Sequence, residues 1–289
     1  MQSVIKKAFT LIELLVVIAI IGILSGLIVV TMSGVTQKAN IAKAQVFSNS
    51  LRNALMLDLI SEWKLDGNTN DDWGIINGIW HGSGGGTNLT ANYRPASECV
   101  FGQCLNFDGT DDYVNFGSWD LVGTPITASV WINPSTSPSL MSDKRFFSAN
   151  YHDVRFNAGI LEVRIYDTAF RYLTCPATNF SANTWYNIVI SSTSNDMRLY
   201  VNGALCDTSD ILTLIAHPYN LNIGANYAGD NRFFSGMMDD VRIYGAAVPV
   251  SEIREQYYIG LNSMLLNGVI SEQDYASRML DFNYGYAKR

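Results

Sequence analysis

The 289-residue sequence predicts a mainly β protein: an antiparallel β-sandwich on a long N-terminal α-helix, with a short C-terminal helical hairpin. Three observations predict it. ITASVWIN (126–133), TWYNIVISST (184–193) and MRLYVNG (197–203) alternate apolar and polar residues, the period of strands with one buried face. Beyond about residue 60 the chain is rich in Gly, Asn, Asp, Ser, Thr and aromatics, with turn signals and no helical pattern between the strands, which favours a sandwich. Ahead of that point, residues 9–30 form an apolar run long enough to cross a bilayer as a helix.

In chain order the apolar run comes first. Its 22 residues, Phe9–Val30, would span about 33 Å at ~1.5 Å per residue, against a hydrocarbon core of about 30 Å. Lys6 and Lys7 precede it, so the N-terminus is expected in the cytoplasm and the remainder outside. The run exceeds the roughly 7–15-residue apolar core of a secretory signal peptide, and no clear cleavage site follows it. Gly22 and Gly26 make a small-xxx-small pattern that would let helices approach closely. Glu13 is the odd residue: an acid in the membrane costs roughly 2.5–3.5 kcal/mol, so a partner is expected. Residues 36–60 continue the helix, with Ile41, Ala44, Phe47, Leu51, Leu55 and Leu59 near helical spacing and Lys38, Lys43 and Arg52 on the polar side.

The strand phrases begin after residue 60, and Trp131, Trp185, Ile188, Ile190, Leu199 and Val201 are the expected core between the sheets. Asn202-Gly203 is a hairpin turn signal. The four cysteines all lie beyond the apolar run. CVFGQC is too tight for the usual two-pair zinc site and the three histidines are scattered, so two disulfides are expected, Cys99–Cys104 and Cys175–Cys206, in an oxidising compartment. The alternative is four reduced thiols. A net charge of −7 argues against nucleic acid as a partner. The tail returns to helical spacing: Ser251 is the expected N-cap of one helix, residues 261–267 form a second stopped at Gly268, and Ser271 with Asp274 opens a third.

Two resemblances follow from these phrases. KKAFTLIELLVVIAIIGIL resembles the N-terminus of type IV prepilins and of the pseudopilins of type II secretion. The resemblance implies a basic leader, residues 1–8, cut by a prepilin peptidase between Ala8 and Phe9, with Phe9 then N-methylated. It also implies that Glu13 pairs with the amino terminus of a neighbouring pilin subunit. Ala8 departs from the family, which has glycine before the cut. The implied site is a single-pass helix in the inner membrane that builds into a pilus-like filament at the cell surface. Further on, EWKLDGNTNDDWG, CLNFDGTDDYVNFG, ITASVWIN, NTWYNIVISSTSNDMRLYVNGALC, LNIGA and FSGMMDDVRIYGAAVPVSEIREQY occur in the order of the concanavalin A-like, laminin-G-like jelly-roll domains. This resemblance covers residues 61–259, after the helix of 9–60 and before a helical tail of 260–289.

The jelly-roll resemblance raises three functions for the head. Glucanases of the fold use two carboxylates about 5–5.5 Å apart, supplied by alternation as E-x-D-x-E. No such run occurs, and Glu162 and Asp167 in EVRIYD fall on opposite strand faces, so no enzyme is expected. Relatives commonly hold a structural calcium, which wants several oxygens. Asp66 with Asp240 is the expected acidic pair, and Asp108, Asp111 and Asp112 form the second choice. A carbohydrate or surface-protein ligand would need exposed aromatics, for which Tyr151, His152, Tyr166, Tyr172, Tyr227 and Trp80 are candidates. The leading expectation is a pilin-like adhesive surface protein. The alternatives are a pseudopilin with a purely structural head and a surface glycoside hydrolase.

Overall fold

The structure is a computed structural model that describes residues 11–12, 14–21, 58–82, 92–119, 125–149, 152–166, 169–176, 180–210 and 219–287. The chain divides into two units, residues 1–50 and 51–289. In the first, residues 11–12 and 14–21 are helical and apolar, with Leu11, Ile12 and Ile18 exposed. Among the described residues no helix is long and apolar enough to cross a membrane. Ala8, Phe9, Glu13 and most of the expected span lie outside the described residues.

The second unit is a sandwich of two antiparallel sheets, as the alternation predicts. Its strands are β1 (Leu59–Trp63), β2 (Ile79–His81), β3 (Tyr93–Arg94), β4 (Cys104–Asp108), β5 (Tyr113–Trp119), β6 (Ile126–Pro134), β7 (Lys144–Ala149) and β8 (His152–Asn157). They continue as β9 (Ile160–Tyr166), β10 (Phe170–Pro176), β11 (Tyr186–Ser192), β12 (Asp196–Val201), β13 (Ala204–Asp210), β14 (Tyr219–Ile223) and β15 (Ser235–Tyr244). The eight-stranded sheet runs β13-β12-β11-β6-β15-β4-β3, with β1 also on β15. The seven-stranded sheet runs β10-β9-β8-β7-β14-β5-β2. Asn202 and Gly203 close the β12–β13 hairpin with φ of +52° and +73°, the backbone that the Asn-Gly pair tolerates best. The Asn202 side chain also accepts the Asn187 N–H at 3.0 Å, tying the turn to β11.

Between the sheets, Phe107, Phe146, Phe156, Leu161, Ile188, Leu199, Leu221 and Met238 are buried in one cluster, with Ile190 and Val201 packed at its edge. The expectation for Trp131 and Trp185 needs correcting. Both are buried, but in a second cluster on the outer face of the eight-stranded sheet, with Tyr257, Leu261 and Met264. Alternation along β6 divides its side chains into two faces but does not say which face is inside. Both faces of β6 are buried here, because a helix covers the outer one.

That helix is Val250–Leu266, continuous over 17 residues with Pro249 rather than Ser251 at its N-cap. No break separates 261–267 from what precedes it. Gly260 serves a close approach instead: a Cβ there would sit 2.1 Å from Trp131 Cζ2. Tyr257 stacks on Trp131 with ring centroids 5.7 Å apart. Ile253 joins Val189, Tyr200 and Tyr244 in a further outer cluster. The helix ends at Leu266 with Asn267 as its C-cap, Gly268 follows with a φ of +74° that suits glycine, and the Ser271 hydroxyl then accepts the Asp274 N–H at the start of Glu272–Ala287.

Both expected disulfides form. Cys99–Cys104 closes a five-residue separation beneath the tail helix. Cys175–Cys206 does more than link neighbouring loops: it joins β10 of one sheet to β13 of the other, and the Thr174 N–H donates to Asp207 beside it at 2.7 Å. In the loop-entropy picture the 31-residue separation corresponds to about 3.7 kcal/mol and the five-residue one to about 2 kcal/mol.

Candidate functional site

The outer face of the seven-stranded sheet is built from short alternations. In β8, Val154 and Phe156 point into the core, so Asp153 and Arg155 point out; in β9, Leu161, Val163 and Ile165 point in, so Glu162 and Arg164 point out. The antiparallel register sets Asp153 opposite Arg164 and Arg155 opposite Glu162. Charges of opposite sign therefore face each other across the strands. Arg145 and Ser148 of β7 complete the row. Arg145 and Ser148 both donate to Asp153 Oδ1, at 2.8 and 2.6 Å, and Arg164 pairs with Asp153 Oδ2. Arg155 Nε donates to Glu162 at 2.7 Å, and its Nη1 to Asp143 at 2.8 Å. Asp143 also takes Arg145 at 3.2 Å and pairs with Arg232.

Arg145 is 2% exposed and Asp153 0%, so these charges are stable only because they are paired. Burial alone would raise the pKa of Asp143, but Arg145 and Arg155 outweigh it and hold the carboxyl below its usual range. Asp143, Asp153 and Glu162 each bond a guanidinium. Asp143 in particular is a fixed anion rather than a proton donor. Asp143 and Arg232 both hold left-handed backbone, φ +49° and +62°, an uncommon conformation for such residues.

Aromatics flank the network. At the β10 edge Phe170 and Tyr172 are 43% and 47% exposed. Tyr166 meets Phe170 edge-on at 5.1 Å, and the Arg164 guanidinium lies over the Phe170 ring at 4.9 Å. At the opposite edge His81 stacks on Tyr113 at 4.4 Å. Of the aromatics picked from the sequence, Tyr166 and Tyr172 lie on this face, Tyr227 is half-buried, and Trp80 packs on Phe107 against the core. Tyr151 and the His152 side chain lie outside the described residues. The sequence reading missed Phe170, Arg155 and Arg164. The signal was present in DVR and EVR, two tripeptides that each put an acid and an arginine on one strand face.

Two acidic sites stand apart from the network. Asp66 accepts the Gln103 N–H, and Asp240 pairs with Arg242 at 2.8 Å. Asp239, beside Asp240, is fully buried; its Oδ2 accepts the Phe101 N–H at 2.9 Å, while its Oδ1 has no hydrogen-bond partner among the described residues. Burial first, then Asp240 and Asp66, push its carboxyl well above the usual range. Nearby, Asp71 takes the N–H groups of Glu62, Trp73, Gly74 and Ile76 and acts as a loop brace. The second site is Asp108, Asp111 and Asp112, with one carboxylate oxygen from each within 4.8 Å of the others. Asp112 accepts the Asp108 N–H and the Asn92 amide. Asp111 Oδ1 is buried without a hydrogen-bond partner among the described residues. Burial, with the charges of Asp108 and Asp111, raises Asp112 to about 6. Among the described residues, Asp108, Asp111 and Asp112 are the carboxylates that lie close enough in a group of three to share an ion, and their oxygens suit a hard cation such as calcium.

Residues 108–254 match the family model described as the concanavalin A-like lectin/glucanases superfamily, and residues 5–29 match the prokaryotic N-terminal methylation motif. No curated protein matches the sequence. Among solved structures, the receptor-binding domain of the botulinum neurotoxin C/D mosaic serotype is similar at TM-score 0.56 and 15% identity, covering 71% of this chain and 52% of that one. The botulinum neurotoxin serotype D ligand-binding domain, in complex with N-acetylneuraminic acid, has TM-score 0.55 and 15% identity over 72% and 52%. The binding domain of Paraclostridial Mosquitocidal Protein 1 has TM-score 0.55 and 14% identity over 72% and 53%. The chain spans about half the length of these structures, and at such identity they speak for the fold alone. The chain belongs to the concanavalin A-like lectin/glucanase superfamily and carries a prokaryotic N-terminal methylation motif ahead of its sandwich.

Proposed function

We propose that the protein is a pilin-like subunit of a surface filament whose sandwich head binds a carbohydrate or protein ligand. In this reading a prepilin peptidase cuts between Ala8 and Phe9, Phe9 is methylated, and Glu13 meets the amino terminus of a neighbouring subunit. The helix of residues 9–30 sits in the cytoplasmic membrane before assembly. The observation that carries the reading is the methylation motif joined to a lectin-like head, one of whose outer sheet faces is polar and flanked by exposed aromatics. The solved domains of similar fold are named as receptor- or ligand-binding, which supports a binding head. Calcium would be held by Asp66 with Asp240, or by Asp108, Asp111 and Asp112, in a structural role.

The second reading is a pseudopilin of type II secretion with a structural head. It is favoured by one observation: the charges on the same sheet face are satisfied by one another. Glycoside hydrolysis is not assigned, because Asp143, Asp153 and Glu162 are committed to arginines. Glu13→Val tests the stalk, and filament incorporation equal to wild type would overturn the pilin reading. A glycan array probed with the detergent-solubilised chain, with and without calcium, tests the head. Binding lost on chelation supports both the ligand and the calcium assignments. No binding to any glycan, with a Tm unchanged by chelation, would overturn both.

A further inference from the structure

From a braced loop at the entry to the head we infer that Trp73 and Ile75, beside Ile60, are a docking surface for residues 36–57 of a second copy of this chain. The inference rests on the reading of the chain as a filament subunit and names a contact that would join neighbouring subunits.

The first support is presentation. Ile75 is 95% exposed, with Ile60 at 43% and Trp73 at 41%. The loop that carries Ile75 is fixed on both sides of it. Asp71 accepts the N–H groups of Trp73, Gly74 and Ile76, and the Asn77 side chain accepts the Asp71 N–H at 2.9 Å. The Trp73 indole donates to the Leu59 carbonyl at 2.7 Å, the Trp63 indole to the Ile76 carbonyl at 2.7 Å and the Thr69 hydroxyl to the Gly78 carbonyl at 2.6 Å. Gly74 lies against β1, where a Cβ would come within 2.7 Å of the Ile60 carbonyl oxygen. A rigid loop that holds apolar side chains in water loses little freedom on binding, so the area it offers converts well to affinity.

The second support is charge. Asp71 and Asp72 belong to the loop, Asp58 immediately precedes the Leu59 that Trp73 bonds, and Glu252 lies near Asp58. Against these four acids stands Lys64, which Asp72 shares with Glu62. Residues 31–57 are the reverse: they carry Lys38, Lys43 and Arg52 and no acid. At about 3.6 residues per turn, Ile41, Ala44, Phe47, Leu51 and Leu55 fall on one stripe, with Lys43 on one flank and Lys38 and Arg52 on the other. An apolar stripe with basic flanks complements an apolar loop with an acidic rim. The same rim would be repelled by an anionic lipid surface. The two surfaces are different parts of one chain, so the contact is heterologous, and a heterologous contact that does not close into a ring propagates as a filament.

The test uses the full chain in cells that express it, with sheared filaments and the membrane fraction collected separately. The native cysteines are all in disulfides, so an introduced thiol has no native partner. Two differently tagged copies are co-expressed, one Ile75→Cys and the other Phe47→Cys, and the filaments are oxidised. The expected result is a disulfide-linked dimer that carries both tags. Ile75→Asp should lower filament yield about tenfold, because it sets a charge in the contact beside the acids already there, and Ile75→Val should keep most of the yield. No mixed dimer, with an internal cross-link in the Ile75→Cys/Phe47→Cys double variant, would mean that each stalk covers its own head and would overturn the inference. No mixed dimer, with an Ile75→Cys thiol shielded from a water-soluble maleimide in the membrane fraction alone, would assign the loop to lipid and overturn it too. Filaments of Ile75→Asp equal in yield to wild type would overturn it and leave the filament reading intact. A wild-type chain that enters no filament would overturn both. A Tm of Ile75→Asp within a few degrees of wild type separates lost contact from lost fold.

Discussion

The two sheets of the sandwich have opposite outer faces. That of the eight-stranded sheet carries Trp131, Val189, Tyr200 and Tyr244, and the chain covers it with its own helix through Ile253, Tyr257, Leu261 and Met264. That of the seven-stranded sheet carries Arg145, Asp153, Arg155, Glu162 and Arg164, held by ion pairs, with Phe170 and Tyr172 left exposed at one edge. Both faces contain buried side chains, but they are buried for different reasons. Apolar area removed from water stabilises the first at about 25 cal/mol per Å². The second roughly breaks even, since desolvating charges offsets much of their attraction. A face that contributes little net stability can change with little penalty to the fold, which suits it for recognition.

The comparison can be broken most directly from the apolar side. Trp131→Ala should cost about 3–5 kcal/mol by urea unfolding of the head, because the helix loses the ring on which Tyr257 and Gly260 pack. A cost under 1 kcal/mol would mean that the helix is not part of the core. On the polar side, Arg145→Met should cost about 3 kcal/mol by leaving Asp153 under-paired in a dry site. Adding Asp153→Leu should recover most of that loss. If the double variant is less stable than the single, the network contributes more than the comparison allows.

A smaller effect tests the acidic rim. Asp112, raised to about 6 in the fold against an ordinary value near 3.9, binds its proton more tightly when folded. The stability it contributes is therefore fully present below about pH 4 and is lost as pH rises through about 6. In the presence of EDTA the head should lose on the order of 2 kcal/mol between pH 4 and 7 from this group, and Asp112→Asn should flatten that slope. Calcium should reverse the loss at pH 7; a Tm insensitive to calcium would remove Asp108, Asp111 and Asp112 as a cation site. Smallest of all, Tyr172→Ala should move stability by no more than ~0.5 kcal/mol, since the ring is half exposed.

Much of the sandwich was legible in the sequence because strand alternation and turn chemistry are local. Residues 126–133, 184–193 and 197–203 fall on β6, β11 and β12, and Asn202-Gly203 turns the expected hairpin. Both cysteine pairs form as read. What alternation cannot supply is which face points inward, and so Trp131 and Trp185 went to the wrong side of the sheet. The run 261–267 was expected as a separate helix, but the helix is continuous from Val250 to Leu266, and Gly260 within it gives the room that Trp131 needs. Of the two adjacent aspartates, Asp240 pairs with Arg242, and Asp239 is fully buried with its Oδ1 lacking a hydrogen-bond partner among the described residues. The register of β15 on β6 shifts between Asp239 and Arg242, an event with no sequence signature of its own. The arginine network was visible only as two acid-Val-Arg tripeptides, whose meaning depends on the cross-strand register between β8 and β9.

The Cys175–Cys206 bond works like the spine of a book. It ties the two sheets along the rim formed by β10 and β13, opposite the fore-edge, where the sheets end in β2 and β3, strands of three and two residues. The turn holding Asp108, Asp111 and Asp112 links β4 of one sheet to β5 of the other, away from the spine. An ion held there would be the clasp. Reduction of the disulfide would release the β10–β13 margin and leave the far margin to the β4–β5 turn.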